Sequence, residues 1–420
     1  MSPPSREFDA LIVGARVAGT AAAIMLGRRR LKVLIVDKSA FPSDTISTHI
    51  TLAGGTQVLR RLGVLEMLER LGGVRYSSMR TVGPGFDYSA RLDSVSDDLR
   101  GLCLTREKMD CAMVDAARSV ECVAMREQFR VTDLVIENGA VAGIRGEDSS
   151  GTHTFTAPLV ISADGLRSTV AKIASEKIAA FPRRDVKCAR AYYYAYFDGV
   201  PRAQLGDDLV TEFESRPGDA NLICRCDGDL VVAATAFDAA EMQDFKSDLA
   251  SNFAGHINDS FAVSKILRDA KIIGKIRSSG LLQNTWRDPA CDGALLLGDA
   301  GLHVDPLFGQ GHSFALMSAE IFGELAPSWF ESSRSSVIGA DAMKEFTIRR
   351  DAALMPYYNA SVKVSQELGL DRASALANRA ANSEAWAADE MVRFAQMANR
   401  DRAFPSFRFA RQMARQRSAA

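Results

Sequence analysis

Three short stretches of the chain combine glycine with an acid or a base at spacings that suit an anion and a sugar hydroxyl. The first is GARVAG, Gly14 to Gly19; the second is Asp164-Gly165 with Arg167 close behind; the third runs from Gly298-Asp299 to Pro306, Gly309, Gln310 and Gly311. Glycine lets backbone approach a phosphate, and a helix starting just after the turn aims free N–H groups and its positive dipole end at it. In the first stretch, Ala18 and Gly19 open a helical run. Asp37, 18 residues after Gly19, stands where a dinucleotide fold places the acid for a ribose hydroxyl, with Lys38 beside it. A strict G-x-G-x-x-G fingerprint needs glycine at 16, where the chain has Arg16. That arginine either points away or adds a charge-assisted contact to the same phosphate. An ordinary βαβ crossover with a solvated Arg16 ranks second, because turn, helix and terminal acid fall in register. Two phosphate-type loops far apart in one chain suit a long dinucleotide better than a mononucleotide.

Proton transfer near neutral pH points to His49, His303 and His312, which flank the glycine loops, and to the tyrosines at 192, 193, 194 and 196. His49, His303 and Tyr194 are the catalytic candidates. The plainer role for each histidine is a hydrogen bond to loop backbone, and for most of the tyrosines core packing. The seven cysteines include no C-x-x-C pair and no histidine at zinc-ligand spacing, so metal and disulfide readings fail.

The elements that must position these groups follow from pattern. Asp9 to Val13 and Lys32 to Val36 read as buried strands around a helix from Ala18 to Arg30. The hydroxyl-rich FPSDTISTHI, Phe41 to Ile50, is a loop before a helical pattern from Gly55 to Glu69. Leu104 to Arg118 is a helix with Thr105 as its N-cap. Arg106 in its first turn opposes the dipole, which an anionic or carbonyl ligand, or a salt bridge, would explain. Residues 129–161 read as strands with an Asn138-Gly139 hairpin, and LVIS runs into Asp164-Gly165 and another helix, for which Asp164 could be the N-cap. Four strand-like runs between 185 and 240 predict antiparallel sheet. The region from Ser328 on is helical, with five arginines in its last twenty residues.

Length favours two domains or one nucleotide domain with an insertion. With 51 Lys+Arg against 52 Asp+Glu, bulk attraction to nucleic acid or anionic lipid has no support. A small organic molecule is the expected partner. The N-terminus lacks an apolar signal-type core and no apolar run is long enough for a membrane span, so a cytoplasmic protein is expected. Oligomeric state is not encoded in any pattern found.

In order, GARVAG, ADGLRSTVAK and LLLGDAGLHVDPLFGQG resemble the group A FAD-dependent monooxygenases of the aromatic-hydroxylase-like flavoprotein family, over roughly Phe8 to Leu325. The resemblance implies an α/β fold: a Rossmann-type FAD-binding domain (1–75, 101–180, 286–330), an inserted antiparallel β-sheet substrate domain (76–100, 181–285) and a helical C-terminal region (331–420). It implies that Gly14, Gly19 and Asp37 bind the ADP half of FAD, that Asp299 holds the ribityl chain, and that Pro306 to Gly311 bring amides to the flavin ring. Arg106, in the pattern T-R-x-x-x-D, matches an arginine that helps hold FAD; Asp164-Gly165 matches a motif touching the pyrophosphate region and a transient nicotinamide. Ala171 stands where that motif often ends in arginine, leaving Lys172 or Arg167 as substitutes, and Ser318 replaces a common aspartate. The implied activity is NAD(P)H- and O2-dependent hydroxylation, through a flavin C4a-hydroperoxide, of an aromatic or polyketide-like substrate of secondary metabolism. No W-x-W-x-I-P pattern supports a halogenase. A reductase of the geranylgeranyl-reductase type is the main enzymatic rival, although its Y-x-W-x-F-P pattern is absent; a flavin-binding protein without turnover is the rival from another class.

Overall fold

The computed structural model describes residues 7–43, 49–92, 99–332 and 337–398. Its first unit is β1 (Ala10–Val13), α1 (Val17–Arg28) and β2 (Val33–Val36), with β1 and β2 parallel and in register from Ala10↔Val33 to Val13↔Val36. Every residue of both strands is buried, as in a sheet covered on both faces. The strands Val123–Arg126, Leu159–Ser162 and Ala294–Leu296 join in parallel, and Ala290–Cys291 closes one edge antiparallel, giving six strands with β1 inside. All three glycine stretches therefore leave the same sheet.

A second sheet of eight strands runs, edge to edge, Leu302–His303, Lys271–Arg287, Arg183–Asp198, Val231–Asp238, Ala220–Arg225, Leu209–Phe213, Ser78–Gly83 and Phe86–Arg91. The four runs predicted from sequence form its antiparallel centre. Their partnership with Ser78–Gly83, which lies parallel to Leu209–Phe213, is a long-range pairing that local patterning does not specify. On one face Tyr193, Ile223 and Phe237 pack with Phe245, Phe253 and Ile266 of short helices. The helices Lys344–Ser365, Arg372–Ser383 and Ala385–Ala395 pack on the sheet's other side and its Phe86–Arg91 edge. A third sheet holds the predicted hairpin, with Asn138 (φ 50°) and Gly139 (φ 80°) both left-handed, as a two-residue turn requires. The expected helix from Gly55 to Glu69 is two helices, Ala53–Arg61 and Leu65–Arg70, because Gly63 sits at φ 66° between them. Among the described residues no helix is long and apolar enough to cross a membrane. The arginines from 402 on lie outside the described residues, as does part of the Phe41 to Ile50 loop.

Candidate cofactor and substrate site

The first turn is built from backbone touching backbone. Gly14 has φ 104°, and a Cβ there would lie 2.3 Å from the Ala163 carbonyl oxygen; a Cβ on Gly19 would lie 1.9 Å from the Gly14 oxygen. Both positions exclude a side chain. The Asp37 carboxylate accepts the Ala15 amide at 2.7 Å and the Ser39 amide at 2.8 Å, so the acid at the end of β2 ties down the turn it faces. Lys38 is exposed.

Arg16 is the residue before α1, and the structure gives its side chain protein partners: an ion pair with Asp110, Ser43 Oγ at 3.2 Å, and the Phe41 ring 5.7 Å away. Asp110 comes from the helix Arg106–Arg118 and is fully buried. Arg106 donates to its two oxygens at 3.0 and 2.9 Å. The salt-bridge explanation of Arg106 thus holds, one helical turn on. Two guanidiniums bracket a single carboxylate, leaving an excess positive charge, and Arg106 Nε is buried without a hydrogen-bond partner among the described residues. An anion beside this trio would compensate both. The Thr105 hydroxyl does not cap its helix; Thr105 N and Oγ1 instead donate to Asp227 at 2.7 and 3.2 Å.

Asp164 spends its carboxylate on protein. Ser162 Oγ donates to Oδ1 at 2.6 Å, and the Thr169 and Val170 amides reach Oδ2 at 2.7 and 3.3 Å. It shares the capping of Thr169–Ile178 with Ser168, whose Oγ accepts the Ala171 amide. The Asp164 backbone nevertheless lies against Gly14, and Gly165, at φ 82°, faces open space. Arg167 is exposed beside Lys172 along a wide groove. At the third stretch a Cβ on Gly298 would lie 3.1 Å from Ala18 Cβ and 3.4 Å from Ala315 Cβ, so this turn, α1 and the helix Gly311–Ser332 converge. Ser318 donates no bulk here: its Oγ accepts the Gly298 amide at 3.3 Å, a role aspartate could also fill. Asp299 is half-buried. Pro306–Phe308 form one 3-10 turn closed by Gly309 (φ 64°), and Gly311 opens the helix onto free space. Gln310 is buried and accepts Ser361 Oγ at 2.8 Å, linking the loop to the helix Lys344–Ser365.

Beyond that loop lies a mostly apolar cavity of about 90 Å³. Strand alternation explains it. Tyr192, Tyr194 and Tyr196 share one face of Arg183–Asp198, while Tyr193 turns to the other and stacks on Phe245 at 4.7 Å between centroids. Across the sheet the tyrosine face meets Ala236, Ala234 and Ala220, whose small side chains leave space, with Leu222, Phe213, Pro306 and Leu307 as walls. Tyr194 lines the cavity with a hydroxyl that has no hydrogen-bond partner among the described residues. His49 lines it too, hydrogen-bonded through Nε2 to Tyr196 and edge-on to both Tyr194 and Tyr196. Burial, and then the Arg106 charge, push His49 down to about 3, so the ring is neutral at pH 7. His312 is likewise held well below its ordinary value, by burial first; its Nδ1 meets Thr51 Oγ1 at 3.2 Å and its Nε2 has no hydrogen-bond partner among the described residues. His303 stands apart: Nδ1 donates to the Gln283 carbonyl at 2.7 Å, and the ring does not line this cavity. Asp110 and the pairing of Tyr192 with Asp305 are what sequence reasoning missed. Only Asp110 had a signal, its position four residues after Arg106.

The model of the family described as FAD binding domain matches residues 7–321, spanning all three glycine stretches and the whole cavity. The chain belongs to the FAD binding domain family. Among relatives of this FAD-dependent oxidoreductase, digeranylgeranylglycerophospholipid reductase 2 of Methanothermobacter thermautotrophicus is 26% identical over 339 residues, covering 78% of this chain and 80% of its own. Squalene epoxidase 3 of Arabidopsis thaliana is 25% identical over 355 residues, covering 83% and 65%. Solved structures of similar fold include the flavin-dependent brominase Bmp2 (TM-score 0.78, 16% identity, 98% of this chain and 100% of that one) and p-nitrophenol 4-monooxygenase PnpA from Pseudomonas putida DLL-E4 (0.76, 14%, 94% and 98%). At those identities the likeness concerns fold alone. The residues present fit FAD. Glycine turns that no side chain could occupy, the cationic excess at Arg16 and Arg106, and the Arg106 Nε without a hydrogen-bond partner among the described residues supply donors and charge for a dinucleotide.

Proposed function

We propose that the protein is an FAD-dependent monooxygenase that uses NAD(P)H and O2 to hydroxylate a small aromatic or polyketide-like molecule. The observation that carries this reading is the cavity: mostly apolar, walled on one side by Pro306 and Leu307 of the glycine loop and on the other by the tyrosine face. Bound FAD would supply the redox chemistry, taking electrons from the nicotinamide and activating O2. The chain's own residues bind, orient and exclude water. Gly14, Ala18, Gly19, Asp37, Arg16 and Arg106 would hold the ADP half; Asp164-Gly165, Gly298 and Asp299 would border the middle; Pro306 to Gly311 would offer amides to the ring. Leu222, Phe213 and Leu307 keep the cavity dry, and neutral His49 with Tyr194 presents hydrogen-bonding groups and no charge. The groove beside Arg167, about 890 Å³, carries Lys172, Arg183, Lys187 and Arg287 against Glu176, which supports a visit by a phosphate-bearing nicotinamide from solvent.

The second reading, a reductase acting on a prenyl double bond, is favoured by the archaeal reductases among the relatives. The test is NAD(P)H oxidation by the FAD-loaded protein with phenolic, polyketide-like and prenyl compounds, in air and without oxygen. We expect a phenolic or polyketide-like compound to stimulate oxidation, with product only in air. Product without oxygen supports the reductase, and no stimulation by any compound supports a flavin-binding protein without turnover.

A further inference from the structure

One buried acid beside the cavity has no role in holding a cofactor. The Tyr192 ring lines the cavity, and its hydroxyl donates to Oδ1 of Asp305. Asp305 has no exposed surface; its Oδ1 also accepts the Leu307 amide at 3.0 Å, and its own amide donates to Asn284 Oδ1 at 2.8 Å. Oδ2 is buried without a hydrogen-bond partner among the described residues. Capping the Pro306–Phe308 turn needs one oxygen, which asparagine would supply without burying an ionisable group. A carboxyl kept here at that cost points to chemistry.

The surroundings give it a path. Cys188 and Arg190, from the strand that carries Tyr192, are the other titratable or charged groups facing Asp305. Arg190 is engaged with the carbonyls of Gly218, Val364 and Leu368. Cys188 lines the wide groove that carries Arg167 and Lys172. Cavity, Tyr192 and Asp305 therefore follow one another directly, and Cys188 stands near the acid on the groove side. Burial raises the Asp305 carboxyl above its ordinary range, against the Tyr192 hydrogen bond that favours the anion.

We propose that Tyr192 and Asp305 form a proton relay that takes the proton of an acidic hydroxyl, a phenol or an enol, bound in the cavity and releases it to the groove. The proposal rests on the cavity being the substrate site. The substrate O–H bond breaks and its proton passes to the Tyr192 oxygen while the Tyr192 proton moves to Asp305 Oδ1. The substrate is left as its oxyanion and Asp305 as the neutral acid; no electrons change hands, and release of the proton past Cys188 to the groove resets the pair. The oxyanion is the more electron-rich form, the one an electrophilic oxygen attacks. Without the relay the same hydroxyl would have to ionise in a mostly apolar cavity, against the neutral His49 ring, held far below its ordinary basicity by burial, and the Tyr194 hydroxyl.

The test uses 4-nitrophenol, whose ionisation is visible in its absorbance, bound to the FAD-loaded full chain across a pH series. Tyr192→Phe removes only the hydroxyl, and Asp305→Asn keeps an oxygen for the Leu307 amide. Tyr88→Phe, on the edge strand Phe86–Arg91 and not among the residues lining the cavity, is the control. We expect the bound probe to ionise about one pH unit lower in the wild type and the control than in either variant, a tenfold difference in its ionisation equilibrium. Equal midpoints with binding retained overturn the relay alone. A wild type that binds no phenol overturns the substrate reading and the relay with it.

Discussion

At the scale of single residues, charge and burial oppose each other around His49. The ring is buried, hydrogen-bonded to Tyr196, and pushed down to about 3. In the unfolded chain it titrates near 6.5. Between those values the unfolded state takes a proton and the folded state does not, so the stability present above about pH 6.5 is lost as pH falls towards 3. His312 acts in the same direction. Thermal unfolding followed from neutral to acid pH checks this: we expect His49→Gln to lose less stability than the wild type, by on the order of 2 kcal/mol at about pH 5. Equal acid sensitivity would show that His49 is not held neutral. In turnover we expect His49→Ala to impair coupling of NAD(P)H oxidation to product more than FAD binding, read from peroxide released per product formed; wild-type coupling would reject that role. Arg16 tests the cationic trio. Arg16→Gly leaves Arg106 on Asp110, and we expect FAD still to bind, roughly tenfold more weakly by titration, the loss of about one charge-assisted contact. A gain in affinity would show that Arg16 blocks the site.

At the scale of elements, the glycine turn decides whether the first unit can form at all. Gly14→Ala must place a Cβ 2.3 Å from a backbone oxygen at φ 104°. We expect a loss of at least about 2 kcal/mol in unfolding free energy together with loss of bound flavin, read by denaturant unfolding and flavin absorbance. This is also where the sequence was most legible. Residue types at Gly14, Asp37, Asn138-Gly139 and Gly298 are dictated by local backbone, so type and spacing reveal the element. Pairings across long stretches of chain are not dictated locally. Nothing near Arg16 announces Asp110, nothing near Leu209 announces its strand partner at Met79, and nothing near Tyr192 announces Asp305. The aromatic run from Tyr192 to Tyr196 was legible as strand, yet which rings face the cavity depended on the opposing alanines, a property of three strands at once.

At the scale of the whole molecule, a parallel sheet carries the glycine loops and a second sheet roofs the space they open, so one cavity wall belongs to each. Pro306 and Leu307 reach the tyrosine face while Gly311 starts the helix that packs on α1. A flavin held by the first sheet and a substrate held by the second would meet in a dry space, the arrangement that oxygen transfer needs and that hydride delivery to a double bond would also tolerate. Fold and family do not separate those two outcomes, because relatives of both kinds share them. The fate of oxygen does. The most direct measurement is mass analysis of the product formed by the FAD-loaded protein with NAD(P)H and isotopically labelled O2: we expect one labelled oxygen atom per product molecule, whereas an unlabelled product that also forms without oxygen would contradict the monooxygenase account.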